Sequence, residues 1–345
     1  MRIPRLFASF FTILLFITIT ISLSLINSDV FAWSPDTGET SQIKASDPQK
    51  SQPDVTGEGS LSSNRVFHYS APLALSPHDH FLLESPLNYE YITWQTAEYR
   101  YGFRVNKAGT LHTGLDLPAL VSTPVMASGD GIVEFAGYGL LYGAGNKKDP
   151  YGIAVKIRHT EKYSGRTIYT VYAHLQKTVV KEGEEVKTGQ TIGAVGLTGN
   201  TSGPHLHYEV RIGNYEGQII QNPELWLTPP LEHGVLAGRI SNQSGYLLFG
   251  WEFTLTSLES GREWVIKTYD INVFNRHVND AYYKENYVLS DLPAGSYQVS
   301  TWYNYKKYQS TIEINPGVIN YINFEGTKGF VPGVPPDSLN TDFLK

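Results

Sequence analysis

Residues 100–228 contain no span that holds a helical period over three turns. In its place come short β-branched and aromatic runs separated by glycines. Gly131-Ile-Val-Glu-Phe, Ile153-Ala-Val-Lys-Ile, Thr167-Ile-Tyr-Thr-Val-Tyr and Thr191-Ile-Gly-Ala-Val are examples. Regularly spaced runs of this kind, with turn residues between them, predict an all-β domain. Residues 139–152 include Gly-Ala-Gly-Asn-Lys-Lys-Asp-Pro and read as a flexible loop between two strands. Beyond residue 228 the β texture continues at 235–240, 247–258, 263–271, 287–292, 296–303, 308–314 and 319–324. About seven strands in that length predict a β-sandwich. Its tyrosines offer rings for stacking on sugars, although half-buried strand positions are the plainer expectation. The expected organisation is all-β: a domain over 66–228 with its lead-in, a sandwich over 229–326, and a loosely ordered tail over 327–345.

The chain begins differently. Arg2 and Arg5 precede a mostly apolar run over 6–26, and no further charge appears until Asp29. Val30-Phe31-Ala32 suits signal-peptidase cleavage, so residues 1–32 are expected to be a signal peptide, with an uncleaved N-terminal anchor as the alternative. Residues 33–65 are rich in Ser, Asp, Gln, Pro, Gly and Thr and read as a disordered linker. Both expectations put the remainder outside the cytoplasm, with membrane attachment only through the first segment. A formal net charge of -6 and the lack of a basic cluster give no electrostatic case for nucleic acid. The absence of cysteine removes disulfides, thiolate metal ligands and a cysteine nucleophile together, so a metal here must sit on His, Asp or Glu.

His205 and His207 stand in Ser-Gly-Pro-His-Leu-His-Tyr-Glu, with Gly203 and Pro204 suited to a turn that delivers the chain into a strand. Alternate strand residues share a face, so both imidazoles point into one space. They suit a metal, or one ligand and one proton carrier, or simply a polar strand face that carries two histidines. His112 and Asp116, in His-Thr-Gly-Leu-Asp, are four apart, which also means one face of an extended run. His174 ends the strand Val-Tyr-Ala-His-Leu. Taken together, His112, Asp116 and His207 form a nitrogen and oxygen set suited to Zn²⁺, with a fourth position open to water as in catalytic sites. His174 and His205 remain as a proton-handling pair. His159 reads as structural, and His233 and His277 have no partners in sequence. His78-Asp79-His80 looks metal-capable but reads as a solvated loop feeding a first strand over Tyr89-Glu-Tyr-Ile-Thr-Trp. A more speculative expectation has that triplet fold over the cleft and hold the site latent.

The motifs His112-x-x-x-Asp116, Tyr172-Ala-His174-Leu and Gly203-Pro-His205-Leu-His207, in that order, resemble the lysostaphin-type (M23) zinc metallopeptidases, a family of peptidoglycan endopeptidases. Tyr101-Gly-Phe-Arg and Gln190-Thr-Ile-Gly-Ala-Val-Gly-Leu-Thr-Gly support the frame. The resemblance covers residues 91–228, the central two-fifths of the chain. It implies zinc on His112, Asp116 and His207, catalysis by His174 and His205, and peptidoglycan or its peptides as the partner. Non-enzymatic wall-binding or hydrolase-activating members have lost metal ligands, whereas all five positions are kept here. No His-Glu-x-x-His motif is present. Leu236-Ala-Gly-Arg-Ile and Asp291-Leu-Pro-Ala-Gly-Ser-Tyr-Gln-Val resemble a carboxypeptidase-regulatory β-sandwich.

Overall fold

A computed structural model describes residues 69–335, apart from 74, 76–77, 93–99, 105–109, 215–216 and 271–277. The expected signal peptide and linker therefore lie outside the described residues, as does His277. The described chain is strand and turn, with helix only as single 3-10 turns, and no helix among the described residues is long and apolar enough to cross a membrane.

Nine strands make one sheet. They are β1 (Leu115–Pro118), β2 (Pro124–Met126), β3 (Gly131–Tyr138), β4 (Ile153–Tyr163), β5 (Arg166–Thr178), β6 (Glu185–Val186), β7 (Thr191–Val195), β8 (His205–Asn214) and β9 (Gly217–Gln221). The main path runs β1-β8-β5-β4-β3-β6; β7 pairs with β2 and β5, and β9 pairs with β8. Every ladder is antiparallel. In β5, residues 168–175 are all buried, because this central strand is covered on both faces. Its apolar run reflects that double cover.

Eight more strands follow. β10 (His233–Ser241), β13 (Tyr287–Pro293), β16 (Ile319–Glu325) and β17 (Phe330–Pro332) form one four-stranded sheet. β11 (Glu252–Ser257), β12 (Glu263–Lys267), β14 (Gly295–Tyr303) and β15 (Lys306–Ile314) form another. The two share a core that includes Leu236, Phe253, Leu255, Val299 and Phe324. Tyr287, Tyr297 and Tyr303 are buried in it, as strand tyrosines half-way to a core are expected to be. The segment after residue 327 is not a loose tail at its start. β17 pairs with β16, and the Phe330 ring lies 5.1 Å from that of Phe324, so apolar packing extends the sheet by one strand.

The core beneath the nine-stranded sheet does not stop at residue 228. Val235, Ala237, Tyr269, Tyr283 and Val288 belong to it. Arg100 lies buried between Glu224 and Asp291, donating to both, with 3.0 Å to Asp291 Oδ1. Burial and the Asp291 carboxylate push Glu224 up in spite of Arg100, while the two carboxylates keep Arg100 charged against its burial. Tyr101 Oη donates to the carbonyls of Ile220 (2.8 Å) and Val278 (2.9 Å). Gly102, at φ 76°, sits where an added Cβ would come within 2.4 Å of Tyr269 Cβ, so this crossing needs glycine.

Two expectations fail in the lead-in. Tyr89–Tyr91 is a 3-10 turn capped by Asn88, not the start of a strand, and Tyr89 Oη reaches the Thr228 carbonyl at 2.7 Å. The His78-Asp79-His80 triplet is neither a solvated loop nor a cleft plug. His80 is fully buried and donates to Asp280 Oδ2 at 3.0 Å, with the rings of Tyr163 and Trp226 4.5 and 5.0 Å away. Asp79 is buried, Tyr283 donates to it at 3.4 Å, and His78 stacks on Tyr282 at 3.7 Å. A buried charge-capable side chain needs a partner, and Asp280 supplies it.

Candidate metal centre and active site

β1 runs beside β8 with Asp116 directly opposite His207, so their side chains leave the same face together. His112 lies just before β1 rather than in it. Its backbone is clamped to the preceding segment: its carbonyl accepts from Gly102 N (2.8 Å) and its N–H donates to Phe103 O (2.7 Å). The chain then bends at Gly114 against β8. A Cβ there would sit 2.4 Å from the Tyr208 carbonyl and 2.9 Å from the His207 ring, so glycine permits the close approach. That bend, more than an extended run of five residues, brings His112 onto the face of Asp116.

Three donor atoms converge as a result. His112 Nε2 is 2.9 Å from Asp116 Oδ1 and 3.0 Å from His207 Nδ1, and His207 Nδ1 is 2.8 Å from Asp116 Oδ1. All three residues can hold a metal ion from one side. With metal–ligand bonds near 2.0–2.2 Å, the edge of a zinc tetrahedron is about 3.3 Å, so the cradle needs to open by only a few tenths of an ångström. The outer ring nitrogens fix the tautomers. His112 Nδ1 donates to the Arg100 carbonyl at 3.0 Å, and His207 Nε2 donates to Glu209 Oε1 at 3.1 Å, which leaves Nε2 and Nδ1 respectively to face the centre. Burial disfavours a charged His207, yet its bonds to Asp116 and Glu209 outweigh that and raise it to about 9. Burial also pushes Asp116 up, but the imidazoles of His112 and His207 hold it well below the usual carboxylate range.

His205 is two residues before His207 on β8, and His174 lies across on β5. Their ring centroids are 4.9 Å apart. Strand alternation would send His174 to the face opposite Ala173, which pairs with His207. A left-handed backbone (φ 60°) turns it back toward the site, at a cost of roughly 1–3 kcal/mol that the surrounding sheet sustains. His174 Nδ1 donates to the Thr198 carbonyl at 2.9 Å, and His205 Nδ1 to the Gly203 carbonyl at 2.8 Å. His205 Nε2 is 3.4 Å from Asp116 Oδ2. Burial, then the neighbouring His207 and His205, push His174 down to about 4; burial also lowers His205, against the pull of Asp116.

The five residues line a groove of about 500 Å³, together with Leu141, Pro150, Tyr151 and Thr201 among others. Residues 139–152 form one of its walls and are pinned rather than loose. Buried Asp149 accepts the backbone N–H groups of Leu141, Tyr142 (both 2.7 Å) and Tyr151 (2.9 Å). Leu141 and Tyr142 stay exposed at the rim.

The structure thus brings together His112, Asp116, His174, His205 and His207, and among the described residues it keeps the other histidines away. His159 is buried with Nε2 2.8 Å from Thr170 Oγ1, and burial lowers it to about 4. His233 Nδ1 donates to the Leu231 carbonyl in a turn at the start of β10. Glu209, Tyr151 and Arg211 are the site residues that sequence reasoning passed over. Glu209 had a readable signal, since it continues the same-face series 205, 207, 209.

Residues 110–221 match the Peptidase family M23 model. The matched segment contains all five of the residues gathered at the groove. M23 family peptidases are metallopeptidases, and the His-Asp-His cradle in the matched segment is a set of donors that could hold a metal ion. The M23 match ends at Gln221, ahead of β10. Among curated relatives, the chain is 47% identical over 112 residues to the peptidoglycan DD-endopeptidase ShyC of Vibrio cholerae, covering 32% of this chain and 22% of that protein. It is 40% identical over 146 residues to the DD-carboxypeptidase/endopeptidase Mpg of Neisseria meningitidis, covering 41% of this chain and 30% of that one. The solved catalytic domain of lysostaphin from Staphylococcus simulans is 30% identical, covering 36% of this chain and 86% of that domain, with a TM-score of 0.30. The chain spans less than a third of the length of the two curated relatives.

Proposed function

We propose that this chain is an extracytoplasmic zinc metalloendopeptidase that hydrolyses peptide bonds in bacterial peptidoglycan. The observation that carries the reading is the convergence of His112 Nε2, Asp116 Oδ1 and His207 Nδ1 within 3.0 Å of one another, beside two further imidazoles on one open groove. In this reading those three residues hold zinc; when bound, the ion polarises a carbonyl and lowers the pKa of water. The ligand set, two imidazoles and one carboxylate, is of the catalytic zinc kind.

Proton movement falls to the histidines. Glu209 lies behind His207, and among the described residues the carboxylate that lines the groove is Asp116, which is taken up as a ligand in this reading. His174, with Nδ1–H committed to Thr198, turns the lone pair of Nε2 toward the groove and is kept neutral by burial, which suits a proton acceptor for the attacking water. His205, with Nε2 beside Asp116 Oδ2, is better placed to carry a proton and to hydrogen-bond the developing oxyanion or protonate the leaving amine.

The substrate rests on the relatives, two of which are named for endopeptidase activity, one of them on peptidoglycan. Extracytoplasmic placement rests on the sequence of residues 1–65. Residues 66–228 are assigned as the peptidase domain. Residues 229–326 are assigned as a carboxypeptidase-regulatory-like β-sandwich, a reading that the shared core of the two four-stranded sheets supports. The test is bound zinc by elemental analysis, together with release of soluble peptide fragments from purified peptidoglycan, on the chain from Trp33 onward. Stoichiometric zinc and chelator-sensitive release are expected. Zinc without release refutes the substrate, and neither zinc nor release points to a non-enzymatic wall-binding protein.

A further inference from the structure

Glu209 is fully buried, and every polar contact it makes leads back to the metal cradle or to the groove wall. Oε1 accepts from His207 Nε2 (3.1 Å), Thr113 Oγ1 (2.5 Å) and Tyr151 Oη (2.7 Å). Oε2 accepts from Arg211 Nε (2.6 Å), and Arg211 also donates to Tyr151 Oη at 3.1 Å. The partners come from three places: the bend before β1, the end of the 139–152 loop, and β8 itself. Tyr151 presents its ring to the groove and stands edge-on to His207, with centroids 5.8 Å apart. A buried carboxylate that lost these donors would be costly to keep, so the arrangement fixes where the carboxylate points.

We infer that Glu209 is a positioning residue that fixes the orientation and basicity of His207 as a metal ligand, and that Tyr151 locks Glu209 in place from the groove wall. The inference rests on the zinc reading above and goes beyond it to residues that do not touch the metal. An ionised acceptor on the outer N–H of a ligating imidazole orients the ring and strengthens the inner nitrogen as a donor. Arg211 compensates the carboxylate, so the pair is neutral within the sheet and Glu209 keeps its charge. The Tyr151 link also ties the loop that carries Leu141 to the cradle, so that groove wall and metal ligand hold one geometry.

The test is the zinc Kd of the full chain by competition with a chromophoric chelator, which does not depend on turnover. Glu209→Gln keeps the size and removes the charge. Its zinc Kd is expected to rise about 10- to 100-fold, with an altered visible spectrum of the cobalt(II)-substituted protein and cleavage rescued by excess zinc. A merely structural role would lower the melting temperature without moving the spectrum or giving rescue. Equal zinc Kd in Glu209→Gln and the wild type overturns the inference. If Glu209→Gln does not fold, Tyr151→Phe decides: about two- to tenfold weaker zinc binding supports the inference, and an unchanged Kd overturns it. A wild type that binds zinc but cleaves nothing sinks the peptidase reading alone, and a wild type that binds no zinc sinks both.

Discussion

Arg100 joins the two halves of the described chain, and replacing it should be costly in a pH-dependent way. Its guanidinium is the counter-charge for Glu224 and Asp291, whose side chains are only 0% and 5% exposed. Its carbonyl accepts His112 Nδ1–H. Arg100→Met keeps the stem and removes the charge, leaving two buried carboxylates near each other without a cation. Glu224 would retain its bonds from Ser290 N and Oγ (both 2.9 Å), so the structure should survive. Breaking a buried pair by removing one partner costs about 3–5 kcal/mol. Glu224, which burial already pushes up, would escape part of that cost by taking up a proton, so its folded pKa would rise further above the unfolded one. A group shifted in that direction contributes stability at low pH and loses it as pH rises through the folded pKa. The loss in Arg100→Met, measured by urea denaturation against the wild type, should therefore be larger at pH 8 than at pH 5.5. Equal losses at the two pH values, or a loss below about 1 kcal/mol at pH 8, would refute the reasoning that Arg100 is a buried counter-charge.

Two further outcomes follow from the geometry. His174 must be neutral to accept a proton, and it is held down at about 4, so with zinc kept saturating the acid limb of kcat/KM should fall well below pH 6.5; His174→Ala should lose about 10²–10⁴-fold in kcat, and a limb at 6.5 with mild loss in the variant would remove His174 from the proposed base role. Deleting the chain through His80 should lower the melting temperature and not raise the rate of cleavage, because His80 is a packed partner of Asp280; activation on deletion would restore the latency idea that its burial speaks against.

The parts of this molecule that sequence exposes are those in which partners lie within a few residues or follow a strand's alternation. His205 and His207 share a face because they are two apart on β8. The same rule reaches Glu209, once the need of His207 for an outer acceptor is considered. His174 was visible as a strand-end histidine, but its left-handed backbone was not, since no local residue demands it. What sequence hid is long-range. His80 finds Asp280, Arg100 finds Asp291, and Tyr89 finds Thr228, each pair far apart in the chain and each selected by burial rather than by pattern. The same holds for β17, three residues whose pairing depends on Phe330 meeting Phe324. The division expected near residue 228 is likewise softened by a core that draws Val235, Tyr269 and Val288 beneath the nine-stranded sheet.

The central claim is a division of labour on one face of β8: His207 holds the metal, and His205, two residues earlier, moves a proton. Bound zinc in purified His207→Ala and His205→Ala, with peptidoglycan cleavage measured on the same samples, tests it most directly. His207→Ala is expected to lose both zinc and cleavage, and His205→Ala to keep stoichiometric zinc while losing most turnover. Zinc lost from both variants, or retained in both, would contradict it.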